Sequence, residues 1–334
     1  MSETKQQLSA TPGERKPPSR RLRLAATIVS SDEKLLVPCL DTLLKYRPMD
    51  CDFKIYVAWN APSRGLPRLA PELALRYPDV EMIESFTPGY PFNQNLLLNQ
   101  ADADYYLVLN DDLIFLPGSI DKPLNFMARP DNARIGLLTI RLLNADGSLQ
   151  PSTYSFAGLL RTVWSVSNLR NVIPLSAHLN RVAASIGLGR GRSRYWSHEE
   201  TVEIESCRGA YMLVRDDALR QVGVFDLEGG HETEWHVRFH QRGWKIVFYH
   251  EAEVIHLGSM TVSRDPEKDL LNLESFLNIY YKHMPGWRYV LMRASFFVTY
   301  LARYLGAALW RDVTSRRIAR KGMSMVVRWP QRAE

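Results

Sequence analysis

The sequence predicts an α/β protein built on a mainly parallel sheet. Three observations carry this. Short β-leaning apolar runs alternate with segments of helical periodicity through the first 110 residues. The run Tyr105 to Asn110, "YYLVLN", is apolar almost throughout and ends abruptly on Asp111 and Asp112. No internal repeat competes with this reading. In open sheets of this kind, ligands bind at the carboxyl ends of the strands, where those acids lie.

In order, "LRLAATIVS" (22–30) reads as a first strand and "EKLLVPCLDTLLKY" (33–46) as a helix with apolar residues at helical spacing. "FKIYVAW" (53–59) is a second strand, "PELALRYP" (71–78) a helix and "VEMIESF" (80–86) a third strand. "FNQNLLLNQA" (92–101) is a helix leading into "YYLVLN". Further on, "RIGLLTIRLLNADGSLQPS" (134–152) places a strand before a turn at Asn144–Gly147. Residues 153–203 read as irregular, with a flexible "GLGRGRSRYW" at 187–196, and "GAYMLVRDDALRQVGVFD" (209–226) as a strand and helix.

The 334 residues, 46% hydrophobic, suffice for a substantial core. Three cysteines (Cys39, Cys51, Cys207), neither a disulfide framework nor at zinc-ligand spacing, point to a reducing compartment. The polar, basic N-terminus has no signal-peptide core and reads as a disordered lead-in over residues 1–21. The net charge of +6 is unevenly spread: +4 over residues 1–24, +8 over 286–334 and −6 between. An acidic body excludes a nucleic-acid-binding surface there, and the basic tails point to an anionic partner such as a membrane surface.

Within the tail, the longest uncharged run, Ala294 to Ala302, is nine residues, against roughly 20 needed to cross a bilayer. On a helical projection Arg288, Arg293, Arg303 and Arg311 share an arc of about 140°, with Phe296, Phe297, Tyr300, Leu301 and Leu305 largely elsewhere. The expectation is an amphipathic helix lying in the membrane interface; the competing reading packs it on the body.

Five segments occur in order across residues 22–285: "YYLVLNDDLIFLPGSID", "RLLNADGSLQPS", "RGAYMLVRDDALRQVGVFD", "HETEWHVRFHQRGW" and "EAEVIHLGSMT". Together they resemble the family 2 glycosyltransferases of the GT-A fold, especially the rhamnosyltransferase-like branch. The resemblance implies a Rossmann-type mixed sheet flanked by helices over 22–285, followed by the helical tail 286–334. It also implies transfer from a nucleotide-diphosphate sugar, with inversion, to a glycan or lipid-linked glycan acceptor at the inner face of the cell membrane.

It implies residue roles too. Asp112 falls on the third position of a D-x-D-type motif and would hold Mn²⁺ or Mg²⁺, with Asn110 and Asp111 on the donor side. The bland alternative for two adjacent acids is a solvated turn. His256 matches a histidine that some members use as a metal ligand; a core histidine bonded to backbone is its alternative. "HETEWHVR" aligns with E-D-x-D-L-x-x-R, so Glu232 takes the place of the catalytic aspartate, Glu234 the second acid, and His231 replaces the first glutamate. Both glutamates would also suit a plain helix N-terminus. Arg238 would face the diphosphate or solvate its helix, and Gly209 in "RGAYM" joins the donor-binding set.

There are departures. Trp59-Asn60 stands where relatives carry the Asp-Asn of V-D-N-G-S, and Trp59 either stacks on a base or fills core. Ser30-Ser31 replaces T-Y-N after the first strand, and Asn95 keeps the Asn of Asn-x-Gly-Ile while Leu97 displaces its glycine. These departures motivate the alternative of a catalytically inactive sugar-binding or scaffolding relative. A nucleotidyltransferase would need a Gly-rich phosphate loop with a lysine after the first strand, and "IVSSDEKLLVP" has none.

Overall fold

A computed structural model of the chain describes residues 21–60, 71–154, 198–227, 231–258, 268–309 and 311–328. The basic lead-in up to residue 20, Ala61-Pro62-Ser63, the segment 187–196 and Ser259 lie outside the described residues.

The first half follows the expected alternation. β1 (Arg23–Ser30) leads to α1 (Glu33–Lys45), whose first turn is capped by the Asp32 carboxylate accepting from the Lys34 amide at 2.9 Å. β2 (Asp52–Asn60), α2 (Pro71–Arg76), β3 (Val80–Ser85), α3 (Tyr90–Gln100) and β4 (Tyr105–Asn110) follow. β5 (Leu113–Phe115), α4 (Asp121–Met127), β6 (Ile135–Leu143), β7 (Leu149–Gln150) and β8 (Thr153–Tyr154) complete the first half. The second half runs β9 (Val202–Ile204), β10 (Ser206–Cys207), β11 (Tyr211–Arg215), α5 (Asp216–Val222), α6 (His231–Gln241) and β12 (Lys245–His256). Three helices end it: α7 (Lys268–His283), α8 (Gly286–Leu309) and α9 (Val313–Arg328).

The main sheet has the order β3-β2-β1-β4-β11-β6-β12-β5, with β7 added to β6 and β9 to β12. β3, β2, β1 and β4 are parallel, but β11 runs antiparallel to both β4 and β6. The sheet is therefore mixed rather than mainly parallel. β11 enters from the end where β4 finishes, and the Asn110 amide donates to the Ala210 carbonyl at 3.0 Å.

Alternate residues of each strand feed opposite faces, as the pleat requires. Leu24, Ala26 and Ile28 of β1 join one buried cluster, with Leu107 and Leu109; Ala25 joins the other, with Tyr106 and Val108. Each fully buried aliphatic side chain contributes about 1.5–3 kcal/mol, so the central strands anchor everything mounted on their ends.

α7, α8 and α9 form a third cluster around Leu273, Leu277, Met292, Phe296 and Tyr300. α7 spends its apolar face on α8 and α9, so it belongs to this helical cluster. Among the described residues no helix is long and apolar enough to cross a membrane.

Candidate active site

The acids that interrupt the apolar run sit between β4 and β5, and they face different neighbours. Asp111 accepts from the Ser30 hydroxyl at 2.6 Å, which joins the ends of β1 and β4. Burial raises its carboxyl to about 6; the Ser30 bond opposes this and the Asp112 charge reinforces it.

Asp112 is 6% exposed and meets His256, itself 5% exposed. Strand register brings them together: His256 closes β12 opposite Leu113, the residue after Asp112. The Leu257 amide also donates to the Asp112 carbonyl at 3.0 Å. Asp112 Oδ1 lies 3.2 Å from His256 Nε2, yet it is buried without a hydrogen-bond partner.

Gln150 explains why that contact wants a cation. Its Nε2 donates to Asn144 Oδ1 at 3.0 Å and to the His256 carbonyl at 3.5 Å, leaving Oε1 as an acceptor. Oε1 faces His256 Nδ1 at 2.6 Å, so in the neutral imidazole Nδ1 carries the proton and Nε2 offers its lone pair. Asn110 Nδ2, 3.5 Å from Nε2, is a donor on the same side. A carboxylate oxygen and an imidazole lone pair then confront each other, both acceptors, in a buried place. That donor set suits a divalent cation such as Mn²⁺. Among the described residues no group of three or more His, Cys, Asp or Glu side chains could enclose a metal, so this pair would leave the remaining positions to substrate or water.

Gly209, just before β11, lies against the Glu232 side chain. A Cβ at Gly209 would overlap the Oε1, Cγ and Cδ atoms of Glu232. The carboxylate of α6 therefore rests on the backbone beside the end of β4, and it stays partly exposed. Glu234, two residues on, is turned inward and 2% exposed. It accepts from Arg238 Nε at 2.9 Å and pairs with His283 Nε2 at 2.8 Å. Burial acts to raise its carboxyl, but the His283 and Arg238 bonds outweigh it and hold it below the ordinary carboxylate range.

Several residues expected at the donor prove to be bound inward. Arg238 spends its guanidinium on Glu234 and on the Val222 and Val224 carbonyls, at 2.6 and 2.8 Å, and so braces α6 instead of facing a diphosphate. Asn95 clamps the backbone of Phe225, donating to its carbonyl and accepting from its amide, both at 2.8 Å. Trp59 is 2% exposed and packed in the core, leaving no face for a base to stack on. Asn60, at the end of β2, is half-buried with its Oδ1 unpartnered. The structure thus brings Ser30, Asn110, Asp111, Asp112, His256, Gly209 and Glu232 to one edge, and directs Asn95, Arg238, Glu234 and Trp59 elsewhere.

Two residues of this edge escape sequence reasoning. The Asn144–Gly147 turn, with Gly147 at φ 79°, sets Gln150 opposite Leu142. Only the distant pairing of β6 with β12 carries it on to His256. Tyr90 opens α3 with a buried hydroxyl that has no hydrogen-bond partner. Burial, then the Glu232 charge, pushes its phenol up; the nearby Gln94 side chain opposes this and Asp111 adds to it.

Residues 27–169 match the model of the family described as Glycosyl transferase family 2. Over 255 residues the chain is 27% identical to an N-acetylglucosaminyl-diphospho-decaprenol L-rhamnosyltransferase of Mycobacterium tuberculosis, covering 70% of this chain and 76% of that one. The fold is similar to that of the mannosyltransferase PcManGT from Pyrobaculum calidifontis, solved with GDP-Man and Mn²⁺. There the TM-score is 0.51 and the identity 14%, over 95% of this chain and 88% of the other. It is also similar to GalNAc-T7, solved with UDP, GalNAc and Mn²⁺, with a TM-score of 0.54 and 11% identity over 93% of this chain and 56% of that one. Over residues 27–169 the chain is thus similar to the family 2 glycosyltransferases, and its fold is that of GT-A glycosyltransferases.

Proposed function

We propose that the protein transfers a sugar from a nucleotide-diphosphate donor to a hydroxyl of a lipid-linked or surface-glycan acceptor, with inversion at the anomeric carbon. Rhamnose is the donor sugar to test first, because the rhamnosyltransferase relative moves that sugar to a decaprenol-linked acceptor. An acceptor of this kind would hold the protein at the inner face of the cell membrane, as a peripheral protein.

The observation that carries the reading is the buried acceptor pair Asp112 Oδ1 and His256 Nε2, at the strand ends beside a seated Glu232. Asp112 and His256 would hold Mn²⁺ or Mg²⁺. When bound, the cation offsets the negative charge that gathers on the departing diphosphate. Gln150 holds the imidazole in the tautomer that offers Nε2. Glu232 takes the proton of the acceptor hydroxyl as its oxygen attacks the anomeric carbon and the bond to the diphosphate oxygen breaks. One displacement with one base and no enzymic nucleophile inverts the centre. Glu234, charge-paired inward, is withdrawn from that task.

The test is turnover of a panel of nucleotide sugars with Mn²⁺, with the anomeric configuration of the product read by NMR. Glu232→Gln keeps the volume and removes the base, so transfer should fall about 10²–10⁴-fold while donor affinity stays put. Wild-type turnover by Glu232→Gln, or a product of retained configuration, would overturn the mechanism.

A further inference from the structure

Arg208 is a half-buried cation with no counter-charge among the described residues. It follows β10 and stands immediately before Gly209, on which Glu232 rests. A guanidinium keeps its proton in a protein, so its charge has to be met by acceptors. One acceptor is at hand: Nη2 donates to the neutral Tyr154 hydroxyl at 3.1 Å. Nε is buried without a partner, and Nη1 has no hydrogen bond among the described residues. No ion pair among those residues includes Arg208. By contrast, half-buried Arg238 has Glu234, and half-buried Arg23 has Asp102 and Asp104. Arg215 lacks a carboxylate, but it donates to the Ile135, Met127 and Asn132 carbonyls and to the Tyr105 hydroxyl. A partly desolvated charge answered by one neutral group destabilises the fold until an anion meets it.

The backbone fixes where this cation stands. The Arg208 amide donates to the Ser152 carbonyl at 2.8 Å, continuing the antiparallel pairing of β10 with β8. Two residues on, the Ala210 carbonyl takes the Asn110 amide, at the strand end that leads into Asp111 and Asp112. On the other flank, Tyr154 turns its hydroxyl back to the Pro151 carbonyl at 3.4 Å. Pro151 adjoins Gln150, which holds His256 Nδ1 at 2.6 Å. Ser152 and Gln150 are separated by about 7 Å of extended chain. The segment 149–154 therefore carries the imidazole of the proposed cation site near one end and the Arg208 guanidinium near the other.

We propose that Arg208 binds a phosphate oxygen of a diphosphate substrate. The planar fork of a guanidinium matches phosphate with two parallel hydrogen bonds, which an ammonium does not supply. This rests on the proposed transfer reaction, in which the nucleotide sugar carries a diphosphate and a lipid-linked acceptor carries another. Arg208 adds a hold on one of them that needs no metal, on the far side of Gln150 from Asp112. A plain brace on Tyr154 is the competing role, and the two differ in sign. Removing a brace destabilises the fold, whereas removing an unmet charge does not.

The experiment is titration calorimetry of the full chain with inorganic pyrophosphate in EDTA, so that no divalent cation contributes, alongside melting temperatures. Arg208→Gln should bind pyrophosphate about tenfold more weakly or worse, and should melt at or above the wild-type temperature. Arg208→Lys, which keeps the charge without the fork, should fall between the two in affinity. Steady-state kinetics with Mn²⁺ identify the source of the phosphate. A raised KM for the nucleotide sugar alone assigns Arg208 to the donor, and a raised KM for the acceptor alone assigns it to the acceptor. Pyrophosphate bound no better by wild type than by Arg208→Gln would overturn the inference. So would a melting temperature lowered equally in Arg208→Gln and Tyr154→Phe with pyrophosphate affinity unchanged. A wild-type protein that transfers no sugar, while Arg208→Gln still loses pyrophosphate, would fail the catalytic reading and keep the phosphate site.

Discussion

Gly209→Ala tests the placement of Glu232 without touching its chemistry. Gly209 is needed for space, since a single added methyl would overlap three atoms of the Glu232 side chain. Glu232 is partly exposed, so its side chain can turn away while the backbone stays. The strain of an off-rotamer side chain is about 0.5–1.5 kcal/mol, which leaves the fold intact. The carboxylate is then displaced by on the order of an ångström, enough to cost about 10²-fold in rate, or about 2.7 kcal/mol of barrier. The assay is kcat for sugar transfer and the melting temperature of Gly209→Ala, Glu232→Gln and the double variant. If both changes act through one carboxylate, the double variant should be hardly slower than Glu232→Gln, because the methyl has no base left to displace. A wild-type kcat for Gly209→Ala, or losses that simply multiply, would refute the placement.

Gln150→Leu removes the acceptor that fixes the His256 tautomer, so Mn²⁺ affinity measured by calorimetry should weaken about 10–100-fold; an unchanged Kd would show that Gln150 does not orient the ligand. Glu234→Gln should lower stability at pH 7 by about 3 kcal/mol, because the half-buried Arg238 guanidinium loses its counter-charge. The Glu234 carboxyl is held below its ordinary value of 4.5. Its contribution is therefore full above that pH and is lost as pH falls through the depressed folded value. Urea midpoints of wild type and Glu234→Gln should thus converge below pH 4.5, and parallel curves down to pH 3 would contradict the assignment.

What the sequence made legible was local or periodic. Tyr105–Asn110 announced its strand by a nearly unbroken apolar run, and the acids after it marked the strand-end edge where Ser30, Asp112 and His256 meet. Alternation of strands with helices was enough for the first half of the sheet. Reversal of β11 was not visible, because Tyr211–Arg215 is buried on both faces and a continuous apolar run carries no direction. Arg238 and Asn95 illustrate a second limit. A register can match a motif while the side chain turns inward, and only the tertiary partners, Glu234 for one and the Phe225 backbone for the other, decide which way it goes. The helical projection of residues 287–311 set the arginines apart from Phe297, Leu301 and Leu305. Phe296 and Tyr300, however, lie on the arginine side, where the bundle buries them, and the helix ends at Leu309, before Arg311. The projection had no means to see that α9 would cover the arginine side, since that covering is made by a partner helix and not by α8's own pattern.

Four acids within two short segments receive four different environments, and together these divide the labour of the edge. Asp112 is buried against His256 Nε2 with one oxygen unpartnered, which suits the proposed cation ligand. Asp111 is bonded to Ser30 and raised by burial, which suits a group that joins two strand ends. Glu234 is neutralised by Arg238 and His283, which suits a brace. Glu232 rests on Gly209 and is partly exposed, the placement that the proposed general-base role needs. The brace has a further consequence. His283 belongs to α7, so the same carboxylate that steadies α6 ties it to the helical cluster of α7, α8 and α9. Lys282 and Asp226 form a second tie just before α6 begins.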